Sequence, residues 1–385
     1  MRYIWQHIDT IISSYNGGVP LTHYLKNYYK LQPKLGSRDR KILSEMAYSW
    51  YRCEKGIVSD ISFEEKMRIC LFICNNRQKY ILSFLPLDWE DTDTSSTEKN
   101  LQYLAAKDID FDIERLFPFS ESLSNGISKN DWLHSMLVQP DLFIRVRKNT
   151  QKITALLEEQ NIPYKFLNEH CLALPNGAAI DKLLPEDSYV IQDASSQATS
   201  GYFDPKPKQE WYDCCSGAGG KSLLLKDIEP AVNLTVSDKR ESILHNLKER
   251  FKQYRHQLPK SIVLDAADKQ QLAVNLLGKK FDNIICDVPC SGSGTWARTP
   301  EQLYFFEEKI VDTISALQKQ IATNVASCLK EGGKLFYITC SVFERENDEV
   351  VHHILKNTNL QLEQKQLING IDKKADSMFI AVFSK

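Results

Sequence analysis

From about residue 208 onward, short apolar runs alternate with longer amphipathic stretches. Residues 211–213, 234–237, 261–264, 283–287 and 334–339 read as strands. Residues 222–226, 241–253 and 307–329 read as helices between them. This alternation predicts an open, mostly parallel sheet with helices on both faces. Such sheets bind ligands beyond the carboxyl ends of their strands, near the point where strand order reverses. Asp213, Asp238, Asp265, Asp287 and Cys340 all fall at or just past predicted strand ends. Five polar groups therefore converge on one sheet edge, which core packing alone does not require.

The preceding residues follow other periods. In residues 1–135 apolar side chains recur at helical spacing, as in Ile42, Leu43, Met46, Ala47, Trp50 and Tyr51. Ser37, ahead of Arg38-Asp39-Arg40, reads as a helix N-cap. The polar run 91–99 reads as a mobile loop. Around Pro140 the pattern changes: 142–147 reads as a strand, 150–160 as a helix, and 164–166 and 171–174 as short strands. The expected organisation is a helical domain over 1–135, a small α+β module over 136–200 and a Rossmann-like α/β domain over 201–385.

Composition narrows the setting. A chain of 385 residues is long enough for two or three domains. No apolar run reaches the ~20 residues that span a bilayer, and the first residues lack a signal-peptide core. A cytoplasmic protein without a membrane partner is expected. Ten cysteines in that setting predict free thiols rather than a disulfide framework. The absence of any C-x-x-C pair argues against a structural zinc site, and no metal is expected. Cys70 and Cys74, one helical turn apart in an apolar stretch, read as core. The net charge of −2 gives no global sign of nucleic-acid binding. Locally, Lys26, Lys30, Lys34, Arg38, Arg40 and Lys41 cluster with only Asp39 opposing. That cluster either tracks phosphates or is a solvated helix face.

The chemistry concentrates at three places. Asp213-Cys-Cys-Ser-Gly-Ala-Gly-Gly-Lys221 is a glycine-rich turn between strand and helix, which lets a ligand approach the backbone closely. Its candidate cofactor contacts are Asp213, Cys215, Ser216, Gly217, Ala218, Gly219, Gly220 and Lys221. Lys221 either pairs with a site carboxylate or caps the turn. Asp238 ends the next strand, where a carboxylate would accept ribose hydroxyls, with Arg240 just beyond it. Asp265 is a candidate adenine contact, and Asp287 borders the same edge. The Walker spacing is absent, which disfavours phosphoryl transfer. A cofactor with ribose and adenine but no phosphate, S-adenosylmethionine, fits better.

Cys290 lies in Asp287-Val-Pro-Cys-Ser-Gly-Ser-Gly294, and Cys340 in Tyr337-Ile-Thr-Cys-Ser341. Carbon 5 of cytosine is a poor nucleophile. A thiolate added at carbon 6 makes it enamine-like, so that it can attack a methylsulfonium. A second thiol can help to expel the first. Asp287 is close enough in sequence to Cys290 to hydrogen-bond the base at nitrogen 3.

These motifs resemble those of the Sun-type, RsmB-like RNA cytosine-C5 methyltransferases. Asp287 to Gly294 is similar to that family's Asp-Ala-Pro-Cys-Ser-Gly-x-Gly, with Val288 for alanine. Thr339-Cys-Ser341 with Glu346-Asn347 is similar to its Thr-Cys-Ser motif and the acidic-Asn pair that follows. The glycine turn departs from the family's Asp-x-Cys-Ala-x-Pro-Gly-Gly-Lys: Ser216 replaces alanine and Ala218 replaces proline. Residues 190–197, Arg298 with Pro300-Glu301, and 376–383 resemble further family segments, Ser377 standing for a glycine. Residues 35–52 resemble part of the NusB-like domain of the RsmB group. The resemblance implies that Cys340 is the nucleophile, that Cys290 assists release and that Asp287 contacts the target cytosine. It further implies S-adenosylmethionine as cofactor and RNA as partner. Ribosomal RNA, of the small subunit, is the expected substrate, bound by a monomer.

Competing readings remain. Transfer RNA is an alternative substrate. A DNA cytosine methyltransferase would take its nucleophile from the Pro-Cys motif and needs no Thr-Cys-Ser partner. An amino-group methyltransferase would carry an Asn/Asp-Pro-Pro-aromatic motif where Val288-Pro289-Cys290 stands. A non-catalytic ribosome-assembly factor would not need Asp287, Cys290 and Cys340 together. Cys214 and Cys286 read as packing, Cys215 as a pocket-lining residue and Asp268 as solvent-facing.

Overall fold

The computed structural model describes residues 2–74, 79–90 and 96–385. Its chain contacts group into two compact units. The first comprises Met1–Ser120, Ser128–Gln139 and Thr295–Glu307; the second comprises Glu121–Ile127, Pro140–Gly294 and Glu308–Lys385. The α+β module thus groups with the α/β domain, while 295–307, from within the expected third domain, group with the helical residues.

The first unit is helical, and Arg2–Ser14, Leu21–Leu31, Ser37–Cys53, Phe63–Ile73 and Lys129–Met136 are its longer helices together with Thr97–Ala105. Ile42, Leu43, Met46, Ala47, Trp50 and Tyr51 are all buried, as their spacing predicts. Arg52 ends the same helix and is buried at 2% exposure. Its guanidinium donates to the carbonyls of Met136 and Ala297, both at 2.7 Å, and to Gln139 Oε1 at 2.7 Å. One buried cation therefore ties together the three sequence segments of this unit. The Glu301 carboxylate accepts the Leu21 N–H at 3.1 Å, closing the start of a helix that has no side-chain cap.

Several local expectations need correction. Ser37 is the first helical residue, not the cap. Gly36 takes the cap position, and its N–H donates to the Asp39 carboxylate at 3.2 Å. Of the run 91–99, residues 91–95 lie outside the described residues, and a helix starts at Thr97 with Ser96 as its cap. Cys70 is buried in the core, while Cys74 is half-buried with its sulfur 3.9 Å from Cys53 Sγ. Lys26, Lys30, Lys34, Arg38 and Lys41 are exposed, but Arg40 is half-buried and donates to the Leu35 carbonyl at 2.9 Å.

The second unit holds two sheets among the described residues. In the smaller, β1 (Leu142–Val146), β2 (Lys165–Phe166), β3 (Cys171–Leu174) and β4 (Tyr189–Ile191) run in the order β2-β3-β1-β4. The larger contains β5 (Glu210–Asp213), β6 (Asn233–Asp238), β7 (Lys260–Val263), β8 (Phe281–Asp287), β9 (Leu329–Thr339), β10 (Gln361–Ile368) and β11 (Met378–Ser384). Their order is β10-β11-β9-β8-β5-β6-β7. Strands β5 to β9 pair in parallel, and β11 is antiparallel to both β9 and β10. This is a Rossmann-like, class I methyltransferase sheet. The helix expected over 307–329 is shorter, Lys309–Ala326, because Leu329 already pairs in β9.

The central strands carry apolar residues on both faces because helices cover both. On one face Trp211 stacks on Phe336 at 5.6 Å, with Ile285, Ile338, Ile380 and Val382 around them. The helices Gly220–Ile228 and Glu241–Gln253 add Leu223, Leu225, Leu244, Leu247 and Phe251 to the same core. From β5 the chain moves outward through β6 to β7, then returns to β8 on the other side of β5. Strand order therefore reverses between β5 and β8, which places the expected crevice at Asp213 and Asp287.

The smaller sheet is joined to the larger one's helices by ions. Asp227, in the helix Gly220–Ile228, accepts from Arg147 Nη2 at 2.7 Å and from Arg145 Nη1, and lies 2.7 Å from His256 Nε2. All four side chains are largely buried. Burial pushes the Asp227 carboxyl up, but His256 and the two guanidiniums outweigh it and hold it well below the usual carboxylate range.

Candidate active site

The turn after β5 is shaped by two glycines in left-handed backbone, Gly217 at φ +51° and Gly219 at φ +83°. A Cβ on Gly219 would lie 2.9 Å from Leu247 Cγ. The Gly217 N–H donates to Asp238 Oδ2 at 3.1 Å, so the turn is held against the end of β6. The Ala218 carbonyl accepts from Arg250 Nη1 at 2.7 Å. That half-buried cation restrains the turn at the position where the resembled motif has proline.

Beyond the strand ends lies a cavity of about 440 Å³, within the ~300–1,000 Å³ usual for ligand pockets. Of the expected residues, Cys215, Asp238, Arg240, Asp265, Asp287, Cys290 and Cys340 line it. Ser216, Gly217, Ala218, Gly219 and Gly220 build the turn beside it and are not in its lining. Asp213 sits beneath, 1% exposed, with Ser222 Oγ donating to its Oδ2 at 2.6 Å and no hydrogen-bond partner at Oδ1. Burial pushes its carboxyl up to about 7, Ser222 lowers it and Asp287 raises it further. Lys221 is buried; its ammonium donates to Ser196 Oγ at 2.8 Å and lies 3.5 Å from Asp287 Oδ2. Of its two readings, pairing with a site carboxylate holds.

The Asp238 carboxylate also accepts the Arg240 N–H at 2.9 Å and Arg240 Nε at 3.0 Å. Burial raises its carboxyl, but Arg240 and the turn's N–H lower it more, so the charge is fixed at the end of β6. The Asp265 carboxylate accepts the Ala267 N–H at 3.0 Å. Sequence reasoning did not single out Lys239, Leu264, Ala266, Leu317 and Ile321, which also line the cavity. Leu317 and Ile321 come from one face of the helix Lys309–Ala326, and their four-residue spacing was the available signal. Asp268 proves half-buried, because its carboxylate caps the helix Lys269–Leu276 through the Gln270 and Gln271 N–H groups.

Parallel pairing of β8 with β9 brings the two cysteine loops side by side. Cys290 Sγ lies 3.0 Å from Cys340 Sγ, and the Cys340 N–H donates to Cys290 Sγ at 3.3 Å. Both thiols are free and half-buried. The Cys340 sulfur, then burial and the Glu346 charge, push the Cys290 thiol far above its ordinary value. Cys286 is buried, as its packing role predicts, whereas Cys214 is buried and also lines the cavity. The loops also touch through backbone: the Gly294 N–H donates to the Cys340 carbonyl at 2.9 Å, and the Ser377 N–H to the Gly294 carbonyl at 2.8 Å.

The arrangement offers an electrophile-binding cavity whose wall carries a thiol pair and a carboxylate. The donor set fits S-adenosylmethionine. Asp238 and Asp265 offer acceptors at strand ends, Leu264, Ala266, Leu317 and Ile321 offer an apolar slot for a flat ring, and the buried Asp213 Oδ1 leaves an acceptor open beneath the turn. Among the described residues, no group of His, Cys, Asp and Glu side chains forms a metal site, and no helix is long and apolar enough to cross a membrane.

Residues 201–382 match the family model described as 16S rRNA methyltransferase RsmB/F. Curated relatives named ribosomal RNA small subunit methyltransferase B include that of Vibrio vulnificus, 32% identical over 207 residues (53% of this chain, 48% of the relative). The Proteus mirabilis protein of that name is 26% identical over 260 residues (64% and 60%). That of Shewanella oneidensis is 29% identical over 187 residues (49% and 43%). The chain thus spans about half the length of the curated relatives it matches. Among solved structures, PH0851 superposes with a TM-score of 0.69 at 19% identity, covering 95% of each chain. A methyltransferase homologue from Pyrococcus horikoshii gives 0.56 at 20% identity, covering 66% of this chain and 90% of that one. At these identities the structures speak to the fold alone.

Proposed function

We propose that this chain, whose residues 201–382 match the family model described as 16S rRNA methyltransferase RsmB/F, transfers a methyl group from S-adenosylmethionine to carbon 5 of a cytosine in RNA. Small-subunit ribosomal RNA is the proposed substrate, in keeping with the names of its relatives. The observation that carries the reading is the thiol pair, Cys290 and Cys340 at 3.0 Å, on the wall of a cavity bordered by Asp238, Asp265 and Asp287.

Bound S-adenosylmethionine supplies an electrophilic methyl group. Asp238 and Asp265, in the cavity lining, would hold its ribose and adenine ends. The Cys340 thiolate adds to carbon 6 of the base, so that carbon 5 becomes nucleophilic. Nitrogen 3 takes up a proton from solvent as carbon 6 takes the sulfur, and donates in a hydrogen bond to the Asp287 carboxylate, which Lys221 orients. After methylation a water or hydroxide takes the carbon 5 proton, the carbon 5–hydrogen electrons restore the double bond, and the carbon–sulfur bond breaks as its electrons return to Cys340. Cys290, its sulfur 3.0 Å from Cys340 Sγ, donates to the departing Cys340 sulfur and so favours release. The target base has to be flipped or unpaired, because a stacked cytosine hides carbon 6 from an approaching thiolate. The cytoplasm is the proposed setting, because free cysteines would stay reduced there.

The test is methyl transfer from labelled S-adenosylmethionine to RNA from cells lacking the protein, with bisulfite sequencing of the product. New 5-methylcytosine in ribosomal RNA supports the proposal. Label in transfer RNA keeps the chemistry and overturns the substrate. Cys340→Ala should abolish both methylation and any covalent RNA–protein complex, whereas Cys290→Ala should let that complex accumulate. The opposite pattern exchanges the two roles.

A further inference from the structure

A carboxylate outside the cavity lining links the two cysteine loops. Glu346 is fully buried. It accepts the Ser291 N–H at 2.8 Å and the Ser291 hydroxyl, one residue after Cys290. It accepts the Ser341 hydroxyl at 2.6 Å, one residue after Cys340. Gln318 Nε2, from the helix that also supplies Leu317 and Ile321, donates to it at 2.9 Å and to the Pro289 carbonyl at 2.9 Å. Donors from both loops and from the cavity's helix therefore meet on one side chain. A buried carboxylate is tolerated only with such full hydrogen bonding.

The neighbouring residue extends the joint. Asn347 accepts the Thr339 hydroxyl at 2.6 Å and donates to the Ser341 carbonyl at 2.9 Å and to Ser124 Oγ at 3.0 Å. Residues 121–127 reach this loop from far upstream. The Ser124 N–H donates to the Val342 carbonyl at 2.8 Å, and the Glu344 N–H to the Ser122 carbonyl at 2.9 Å.

We propose that Glu346 is a positioning residue that sets the register of the Cys290 loop against the Cys340 loop, and thereby the distance between the two thiols. It touches neither cofactor nor base. It fixes Ser291 and Ser341 from one point, so the sulfurs cannot separate without breaking a charge-assisted hydrogen bond, among the strongest kind in a protein. The same negative charge lies near enough to Cys290 to oppose its ionisation. The inference rests on the methyltransferase reading for its effect on rate, but not for its geometric content.

The test therefore has two arms. In the first, phenylarsine oxide, which chelates two adjacent thiols, is applied to the full chain, and protection of residues 290 and 340 from alkylation is mapped by mass spectrometry. Wild type should show paired protection of both. Glu346→Ala should lose at least tenfold in arsenical affinity at this pair, with the unaltered protection at Cys53 and Cys74 reporting an intact fold. Undiminished pairing in Glu346→Ala overturns the proposal whether or not the protein methylates RNA. In the second arm, kcat and KM are measured for Glu346→Gln, Ser291→Ala and Ser341→Ala. A drop in kcat of ten- to a hundredfold at unchanged KM for S-adenosylmethionine is expected in Glu346→Gln. Each serine variant should lose part of that factor, and should lose little more when combined with Glu346→Gln. Multiplicative losses would refute a shared joint. Wild type inactive on every RNA, with arsenical pairing intact, would count against the methylation reading and leave the joint standing.

Discussion

Replacing Asp227 by asparagine probes the ionic link between the small and large sheets of the second unit. The side chain keeps its shape but loses its charge. Arg145 and Arg147, with side chains 7% and 12% exposed, are then left beside each other without a counter-ion. Stripping one partner from a buried ion cluster costs about 3–5 kcal/mol, because the remaining charges are desolvated and unpaired. For a unit of this size that corresponds to a fall of roughly 6–20 °C in Tm. Arg145→Met should cost less, since Asp227 keeps Arg147 and His256 as partners. The double variant Arg145→Met/Asp227→Asn should recover part of the loss, because one stranded charge is gone. Urea titration followed by tryptophan fluorescence measures the effect through Trp211, which lies in the adjoining core. A linkage signature accompanies it. The folded carboxyl is depressed, so its stabilisation is complete above the unfolded value near ~4 and is lost as pH falls through the still lower folded value. Wild type should lose this contribution only below about pH 4, and the variant should lack it at every pH. The reasoning is refuted if Asp227→Asn costs less than about 1 kcal/mol, or if Arg145→Met costs more than Asp227→Asn.

Other substitutions test the site's construction. Asp213 is shifted upward to about 7, so the folded state favours its protonated form, and stability erodes as pH rises from ~4 through 7. Asp213→Asn should flatten that dependence and gain, above pH 7, up to roughly 3–4 kcal/mol over wild type in denaturant melts without cofactor; an unchanged pH profile contradicts it. Gly294→Ala should cost more than ~2 kcal/mol and abolish activity, because its Cβ would lie 2.1 Å from the Ser377 carbonyl oxygen, backbone that has no rotamer to escape into. Near-normal turnover in that variant would show that the loop can move. Gly219→Ala should cost about 1–2 kcal/mol for its left-handed backbone and weaken S-adenosylmethionine binding in calorimetry; unaltered affinity would detach the turn from the cofactor.

The central strands were legible because both of their faces are buried. Residues 211–213, 283–287 and 334–339 carry apolar runs, and each lies within an observed strand. By contrast, β10 reads Gln-Leu-Glu-Gln-Lys-Gln-Leu-Ile, largely exposed on an edge, and its pattern does not announce a strand. The helix Asp348–Asn357 and the short strand β4 likewise went unread. At the site, Asp287, Cys290 and Cys340 were legible because motif residues at the ends of parallel strands must converge. Asp213 was placed among the cofactor contacts because it too ends a strand; its side chain lies beneath the turn, where Ser222 holds Oδ2 and Oδ1 stays open. The Glu346 joint was invisible as a joint. Its partners Ser291, Gln318 and Ser341 are separated in sequence, and only the pairing of β8 with β9 brings them together.

The position of β11 carries a consequence for how the protein is made. This strand, residues 378–384, lies between β9 and β10, although both precede it in the chain. During synthesis, at roughly 5–20 residues per second, β9 and β10 emerge first and cannot pair with each other in the native order. They must wait, as open edges, for a strand that arrives last. The Ser377 N–H that secures the Gly294 carbonyl arrives with it. A nascent chain therefore carries both cysteines before it carries the strand that closes the sheet beside them. The thiol pair gains this support only after β11 has been made, so the order of synthesis sets when its surroundings are complete.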